Sequence, residues 1–280
     1  MIIVRLKGGL GNQLFQYALG RKIALIHNTV LKFDISFYEQ EGIRSYDLTH
    51  FNIIENIATQ NEINRIRGKI CLHKDRYNCP VVEEPFFPYN PRIIQVPNNV
   101  YLDGYWQSEK YFLDIEDILR REFTVKYPLK GLNQSLADTI KNCNSVALHI
   151  RRGDYVTNPE NFVIFGVCSW EYYKNCIEQL TAQVTSPHFF IFSDDPQWVL
   201  NNIHLPYPTT FVVHNQDKNY EDLRLMSMCR HNIIANSSFS WWGAWLNTNP
   251  NKMVFAPARW FVTTSLDTRD VIPLTWHKCN

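Results

Sequence analysis

MIIVRLKGGLGNQLFQYALGRKIA (residues 1–24) opens the chain with a strand, a glycine turn and a helix in close succession. The apolar residues at 2–6 read as the strand, and Leu14, Phe15, Ala18, Leu19, Ile23 and Ile26 fall on one helical stripe. A second apolar run at 30–33, ending at Asp34, completes a βαβ unit, the element from which parallel sheets are built. Between strand and helix the glycines bring backbone amides to a helix amino terminus, where an anionic group is favoured. A tight turn with no ligand is the other reading, and Gly9, Gly11 and Asn12 do not by themselves separate the two. The spacing also approaches a dinucleotide fingerprint, with Asp34 placed to reach a ribose. Yet the third small position is occupied by Leu14, where close helix–strand packing wants Gly or Ala, and this argues against a nicotinamide cofactor.

The second half repeats the pattern more regularly. Apolar runs at 146–150 (VALHI), 189–192 (FFIF), 211–213 (FVV), 233–235 (IIA) and 253–256 (MVFA) alternate with helical stretches near 170–184, 219–230 and 239–248. Short apolar runs separated by helices predict a parallel sheet with crossover helices. VYLDGYWQSEKYF (residues 100–112) reads as a strand, a turn at Gly104 and the start of a helix, whereas 41–97 is irregular, polar and proline-rich. KYPLKGLNQS (residues 126–135) supplies the proline and glycine of a linker. The expectation is an α/β protein of two domains, 1–131 and 132–280, facing each other across a cleft.

Bulk properties remove several function classes. With 45% apolar residues the chain buries a normal core, but its longest apolar runs are a few residues, far from the roughly 18 of a membrane span. Lys and Arg number 28 against 27 Asp and Glu, so a broad nucleic-acid surface is not expected. The chain enters a strand directly, with no signal-like segment, and its seven cysteines form no C-x-x-C pair. Their odd number suits a reducing compartment better than a disulfide framework, which predicts a cytoplasmic protein. The eight tryptophans read first as core, although aromatic faces also suit sugars.

Three further segments carry chemistry. In ALHIRRGD (residues 147–154) the period of two puts His149 and Arg151 on one side, with Ile150 and Arg152 on the other. Arginines at the carboxyl end of a buried parallel strand stand where open α/β sheets bind ligands, and the planar guanidinium suits phosphate oxygens. Arg151 is therefore assigned to a phosphate, His149 to the same ligand, and Arg152 to a structural pair with Asp154; a solvated basic loop is the competing reading. In NYEDLRLMSMCRHNIIANSSFSWWGAWL (residues 219–246), Asp222 sits in a first helical turn, as a dipole partner or as an acceptor for the paired N–H donors of guanine. Ser237 and Ser238 end a strand and open the next helix, as caps or as phosphate ligands. Trp241, Trp242 and Trp245 are expected in the core. FSDDP (residues 192–196) offers adjacent carboxylates that point apart with no further ligand at a useful spacing, so Asp195-Pro196 is read as a helix start and no metal is expected.

Assembled, the chain resembles the α-1,2-fucosyltransferases of glycosyltransferase family 11. GGLGNQLFQYALGR (8–21), DGYWQSEKYF (103–112), HIRRGDYV (149–156) and NSSFSWWGAWL (236–246) carry the resemblance, in order along the chain. The H-x-R-R-x-D block recurs across fucosyltransferase families, while the G-Y-W-Q-S and tryptophan-rich blocks are more specific. The resemblance implies a GT-B-like fold of two Rossmann-like domains, with GDP-fucose held chiefly by the second. Arg151 would neutralise the β-phosphate, His149 with Asp222 would read the guanine edge, and Ser237 and Ser238 would hold phosphate oxygens. The turn of Gly9, Gly11 and Asn12 would close over the diphosphate, with Asn12 orienting the nucleophile. Asp103, Tyr105, Trp106 and Gln107 are assigned to the acceptor, a galactose-terminated oligosaccharide or glycolipid, with peripheral membrane contact compatible with the latter. Transfer would be inverting and metal-independent, with no cofactor, giving an α-1,2 linkage, and no single carboxylate among Asp103, Glu109 and Asp154 is expected to be essential as base. The rivals are a fucosyltransferase acting on another hydroxyl or on protein, and a non-catalytic nucleotide-sugar-binding or lectin-like protein.

Overall fold

The computed structural model describes residues 1–41 and 44–280. Two compact units emerge, Met1–Lys126 with Arg269–Val271, and Tyr127–Thr268 with Ile272–Asn280. The break precedes the expected 131/132 boundary because Gly131 already opens a helix packed in the second unit, and the short segment at 269–271 returns to the first.

In the first unit the elements run β1 (Ile2–Arg5), α1 (Leu10–Ile26), β2 (Leu31–Asp34), α2 (Ser36–Glu41), α3 (Gln60–Arg67), β3 (Val81–Glu83), β4 (Val100–Asp103) and α4 (Glu116–Glu122). The strands form one sheet of order β2-β1-β4-β3, parallel throughout, with Ile2, Ile3 and Val4 pairing Leu31, Lys32 and Phe33 on one side and Val100, Tyr101 and Leu102 on the other. Ile2, Ile3 and Val4 are all fully buried, as a central parallel strand covered on both faces requires. Helix α3 covers one face, with Ile63 and Ile66 against Ile3 and Tyr101. Its start carries a complete capping box, in which Thr59 accepts from the Glu62 amide and Glu62 accepts from the Thr59 amide. Helix α1 lies against the sheet at Gly20, where an added Cβ would collide with Val4 and Leu31. The close approach that a glycine was expected to provide at position 14 is thus made further along the helix.

The irregular stretch 41–97, of which 42 and 43 lie outside the described residues, contains α3 and the edge strand β3. It also holds a disulfide between Cys71 and Cys79, contrary to the expectation that no cysteines pair. A turn at Arg76–Asn78, capped by Asp75, folds the chain back on itself and brings the two Cα atoms to 5.1 Å, which no C-x-x-C spacing signals. Among the described residues no helix is long and apolar enough to cross a membrane.

The second unit contains α5 (Gly131–Lys141), β5 (Asn144–Ile150), α6 (Gly153–Thr157), α7 (Pro159–Phe165), α8 (Trp170–Thr181), β6 (Pro187–Ser193), α9 (Pro196–Asn202), β7 (Thr209–Val212), α10 (Asn219–Met228), β8 (His231–Ile233), α11 (Ser238–Leu246), β9 (Val254–Pro257) and β10 (His277–Cys279). Its six parallel strands take the order β10-β9-β8-β5-β6-β7. Numbered from β5, that is the doubly wound order 3-2-1-4-5-6 read from the other edge. Alternation divides the core. Val146, Leu148 and Ile150 pack with α8, while Ala147 packs with α5 and α10, where Ala137, Ile140, Leu225 and Met226 meet it. His149 shares the parity of Ala147, and its ring lies 5.7 Å from that of Phe239 on α11. Trp241, Trp242 and Trp245 are buried, as expected of a helix apolar all round.

Candidate active site

In an open doubly wound sheet the chain leaves a crevice at the carboxyl ends of the two strands from which it winds in opposite directions. In the second unit these strands are β5 and β8. The residues that follow them are His149, at the end of β5, with Arg151 and Arg152, and Asn236, Ser237 and Ser238. Topology therefore gathers at one crevice two segments that lie far apart in sequence.

Arg151 is held by carboxylates on two elements. Its Nη1 lies 2.7 Å from Asp194 Oδ2, its Nη2 donates to Asp154 Oδ1, and its guanidinium stacks 4.9 Å from the Tyr155 ring centre. The Nε of Arg151 is buried and bonds no described group. Asp194 also accepts from the Arg152 amide at 2.9 Å, and a Cβ on Gly153 would collide with the Asp194 carboxylate. Glycine at that position is what allows the carboxylate in. The expected pair of Arg152 with Asp154 does not form: Arg152 bonds Asp195 at 3.1 Å and stacks on Trp198 at 3.8 Å. Alternation ends with the strand at Ile150, and the turn that leads into α6 brings Arg151 back onto Asp154, three residues on. Asp195 caps α9 by accepting from the Trp198 amide, as the Asp-Pro pair predicted. The two acids of FSDDP thus point to different arginines.

His149 is buried, with its Nδ1 unpartnered among the described residues. Burial and, secondarily, the charge of Arg151 lower its pKa to about 3, so the imidazole is neutral at physiological pH. Ser237 occupies the N-cap of α11, yet its side chain makes no cap bond. A buried serine at a helix start normally satisfies one of the orphan amides. Here the hydroxyl is left for another partner, and Asn236 beside it is fixed by bonds to the Phe165 and Trp260 carbonyls. Asp222, half-buried in the first turn of α10, accepts from Asn215 Nδ2 at 2.8 Å. Burial pushes its carboxyl up to about 7, opposed by the Asn215 bond and reinforced by the charge of Glu221. Asn215 in turn exchanges amide bonds with Asn133, which His214 also contacts at 2.7 Å. This amide network was not anticipated; its sequence signal is a polar pair, His214-Asn215, directly after a strand. No hydrogen bond or ion pair joins His149 to Asp222 among the described residues, so the structure does not bring the two expected guanine readers into contact.

In the first unit the adjacent carboxyl ends of β1 and β4 bring together the glycine turn and the G-Y-W-Q segment. Gln107 Nε2 donates to Asn12 Oδ1 at 2.8 Å, while Gln107 Oε1 is buried without a described partner. Gln13 donates to the Gly8 and Ser45 carbonyls, and Gln16 accepts from the Lys7 amide and donates to the Lys7 and Gly104 carbonyls. Both are fully buried, and their signal was two polar residues beside a stripe of apolar ones. Gly8 has φ +77, Gly9 is the N-cap of α1, and Gly11 is buried within its first turn. Asp103 bonds Arg5 at 2.9 Å and Lys7 at 2.6 Å. Burial alone would raise its pKa, but the bonds and charges of Lys7 and Arg5 outweigh it and hold the carboxyl below its usual value.

Trp106, expected at the acceptor, is wholly buried and packs in the core. Its φ of +58 is uncommon for a bulky residue. The cause is Glu84, whose carboxylate accepts from the amides of Tyr105 at 2.6 Å and Trp106 at 3.0 Å. Burial pushes Glu84 up to about 7 despite those two donors and the charge of Lys7. Tyr105 remains exposed, with Lys7 Nζ 4.8 Å from its ring centre.

Two parallel-sheet α/β units, the second doubly wound, are the layout of a GT-B-like fold, the class of the solved transferase that the chain resembles in fold. The chain belongs to the family described as Glycosyl transferase family 11, whose sequence profile matches residues 89–269. It is 33% identical to an Escherichia coli α-1,2-colitosyltransferase over 290 residues, covering 99% of this chain and 98% of that protein. It is 34% identical to the O-antigen biosynthesis glycosyltransferase WbnK of Escherichia coli over 288 residues, covering 91% and 93%. In fold it is similar to the Bradyrhizobium NodZ α-1,6-fucosyltransferase soaked with GDP-fucose, with a TM-score of 0.50, 16% identity, and coverage of 91% and 94%.

Proposed function

We propose that the protein transfers L-fucose from GDP-β-L-fucose to the 2-hydroxyl of a terminal galactose, with inversion and without a metal ion. The observation that carries the reading is the β5–β8 switch point, where Arg151 Nε, His149 Nδ1 and the Ser237 hydroxyl are all left without described partners or cap bonds. A β-linked donor and an α-linked product require inversion, which one displacement at the anomeric carbon achieves. As the C1–O bond breaks, the sugar gains oxocarbenium character and the diphosphate gains charge. Arg151 and the amides opening α11 are the fixed donors proposed to stabilise that charge, in the place a divalent ion takes in other transferases. Asp222, when ionised, accepts the paired N–H donors of guanine, and His149 contributes an uncharged ring nitrogen to the same nucleotide. Ser237 and Ser238 hold phosphate oxygens. Asn12, oriented by Gln107, positions the acceptor hydroxyl, and a dissociative transition state relieves the need for a strong base.

A second reading follows from the relatedness to an α-1,2-colitosyltransferase. Colitose is fucose without its 3-hydroxyl, so the same nucleotide site would serve either donor. The test is incubation of the purified chain with GDP-fucose or GDP-colitose and a panel of galactosides, with linkage analysis of the product and a parallel reaction in excess chelator. An α-1,2-fucosyl galactoside formed equally with chelator is the expected result. Preferential use of GDP-colitose selects the second reading. Linkage to another hydroxyl or to protein, no turnover, or strong inhibition by chelator each overturns the corresponding part.

A further inference from the structure

RGKICLHKDR (residues 67–76) belongs to neither strand-end site, yet no other stretch among the described residues of the first unit is displayed so openly. Every residue from 67 to 74 is exposed. Ile70 is 81% exposed and Leu72 89%, values that two aliphatic side chains so close in sequence reach only on a protruding loop. The base of the loop is held firmly. The Cys71–Cys79 disulfide closes it, and buried Tyr77 accepts a hydrogen bond from Asn90 Nδ2 at 2.6 Å. The two aliphatic tips are thus presented outward by a fixed frame.

The charge around them is one-sided. Arg65, Arg67, Lys69, Lys74 and Arg76 stand within residues 65–76 against a single carboxylate, Asp75, which is itself paired with Arg92. In a chain whose net charge is only +1, this is a concentrated basic patch. An acidic protein partner would be expected to meet a flatter, aromatic-rich surface whose centre is poor in charge. Two protruding aliphatics ringed by cations match instead the boundary between lipid headgroups and acyl chains, where apolar burial and attraction to anionic lipid act together.

We propose that this loop docks the protein on an anionic lipid surface, with Ile70 and Leu72 entering the acyl boundary and the surrounding cations facing headgroup phosphates. The inference stands on the loop alone and does not depend on which sugar is transferred. The test is co-sedimentation of the full chain with vesicles of phosphatidylglycerol and phosphatidylcholine, or of phosphatidylcholine alone, at low and high salt. Binding to the anionic vesicles that weakens with salt is expected. The Ile70→Ser/Leu72→Ser and Lys69→Glu/Lys74→Glu pairs should each lower the partition by more than about tenfold, with unchanged thermal unfolding because every altered side chain is exposed. The proposal is overturned if the wild-type chain ignores anionic vesicles, or if both variant pairs bind as the wild type does. Tighter binding to polyglutamate than to vesicles would overturn it as well, by assigning the patch to an acidic polypeptide.

Discussion

At the ends of β1 and β4 the first unit spends most of its polar side chains on its own backbone and leaves the Gln107 Oε1 and Trp106 Nε1 atoms over, whereas between β5 and β8 the second unit leaves atoms of an arginine and a histidine unspent. Gln13 and Gln16 bind the backbone of the glycine turn and of Gly104, and Lys7 and Arg5 are taken up by Asp103. At the end of β5 a buried imidazole nitrogen and a guanidinium Nε bond no described group, and the Ser237 hydroxyl beyond β8 makes no cap bond. Both sheets are parallel, but only in the second does the chain wind outward in opposite directions from two adjacent strands, β5 and β8. What further distinguishes the second is the kind of atom left unsatisfied, an imidazole nitrogen and a guanidinium nitrogen in place of the Gln107 amide oxygen and the Trp106 indole nitrogen of the first.

Four substitutions test that contrast. Arg151→Ala should reduce transfer by about a hundredfold or more, read as kcat/KM, while circular dichroism shows the unit still folded. Wild-type rates from this variant would mean that the open switch point is not where the reaction is served. Gln16→Leu at the glycine turn of the first unit should instead lower stability by about 2–3 kcal/mol in urea unfolding, because it strands the Lys7 and Gly104 backbone groups. A neutral result would show that the turn is held by something else. Ser237→Ala should weaken GDP binding by roughly tenfold in calorimetry with little change in unfolding, since no cap is lost. Thr59→Ala makes the control, costing about 1 kcal/mol of stability through a cap that is made, with GDP binding untouched.

The smallest expected effect is a pH dependence. With the Asp222 carboxyl raised to about 7, GDP affinity should fall severalfold as pH drops from 8 to 6 and the acceptor becomes protonated. His149, lowered to about 3, contributes nothing in that window. Asp222→Asn should bind more weakly and lose the dependence; a dependence that survives the substitution would assign it to another group.

The second unit was the more legible in sequence because its strands are apolar runs bounded by helices, each of one clear period. β3 and β10, written VVE and HKC, lie at sheet edges and carry too few apolar residues to announce themselves. Arg151, His149 and Ser237 could be placed at the crevice from strand ends alone. The partner of Arg151 could not, since alternation says nothing once the chain leaves the strand and turns into α6. Glu84 left no signal, because its task is to receive the amides of Tyr105 and Trp106, and its own neighbours in sequence are unremarkable acids and prolines. In sequence Trp106 is assigned to the acceptor for the same reason: the carboxylate that binds its amide lies in the stretch no pattern could parse.

Gly153 and Asp194 have a meaning for how such a chain can diverge. Any side chain at 153 strikes the carboxylate at 194, and losing that carboxylate deprives Arg151 of one of its two supports. Each single change is therefore a step down, and the two positions depend on one another although one opens α6 and the other follows β6. A lineage that found another way to steady its arginine would be released from the glycine at the same moment, and variation at 153 would then record that event.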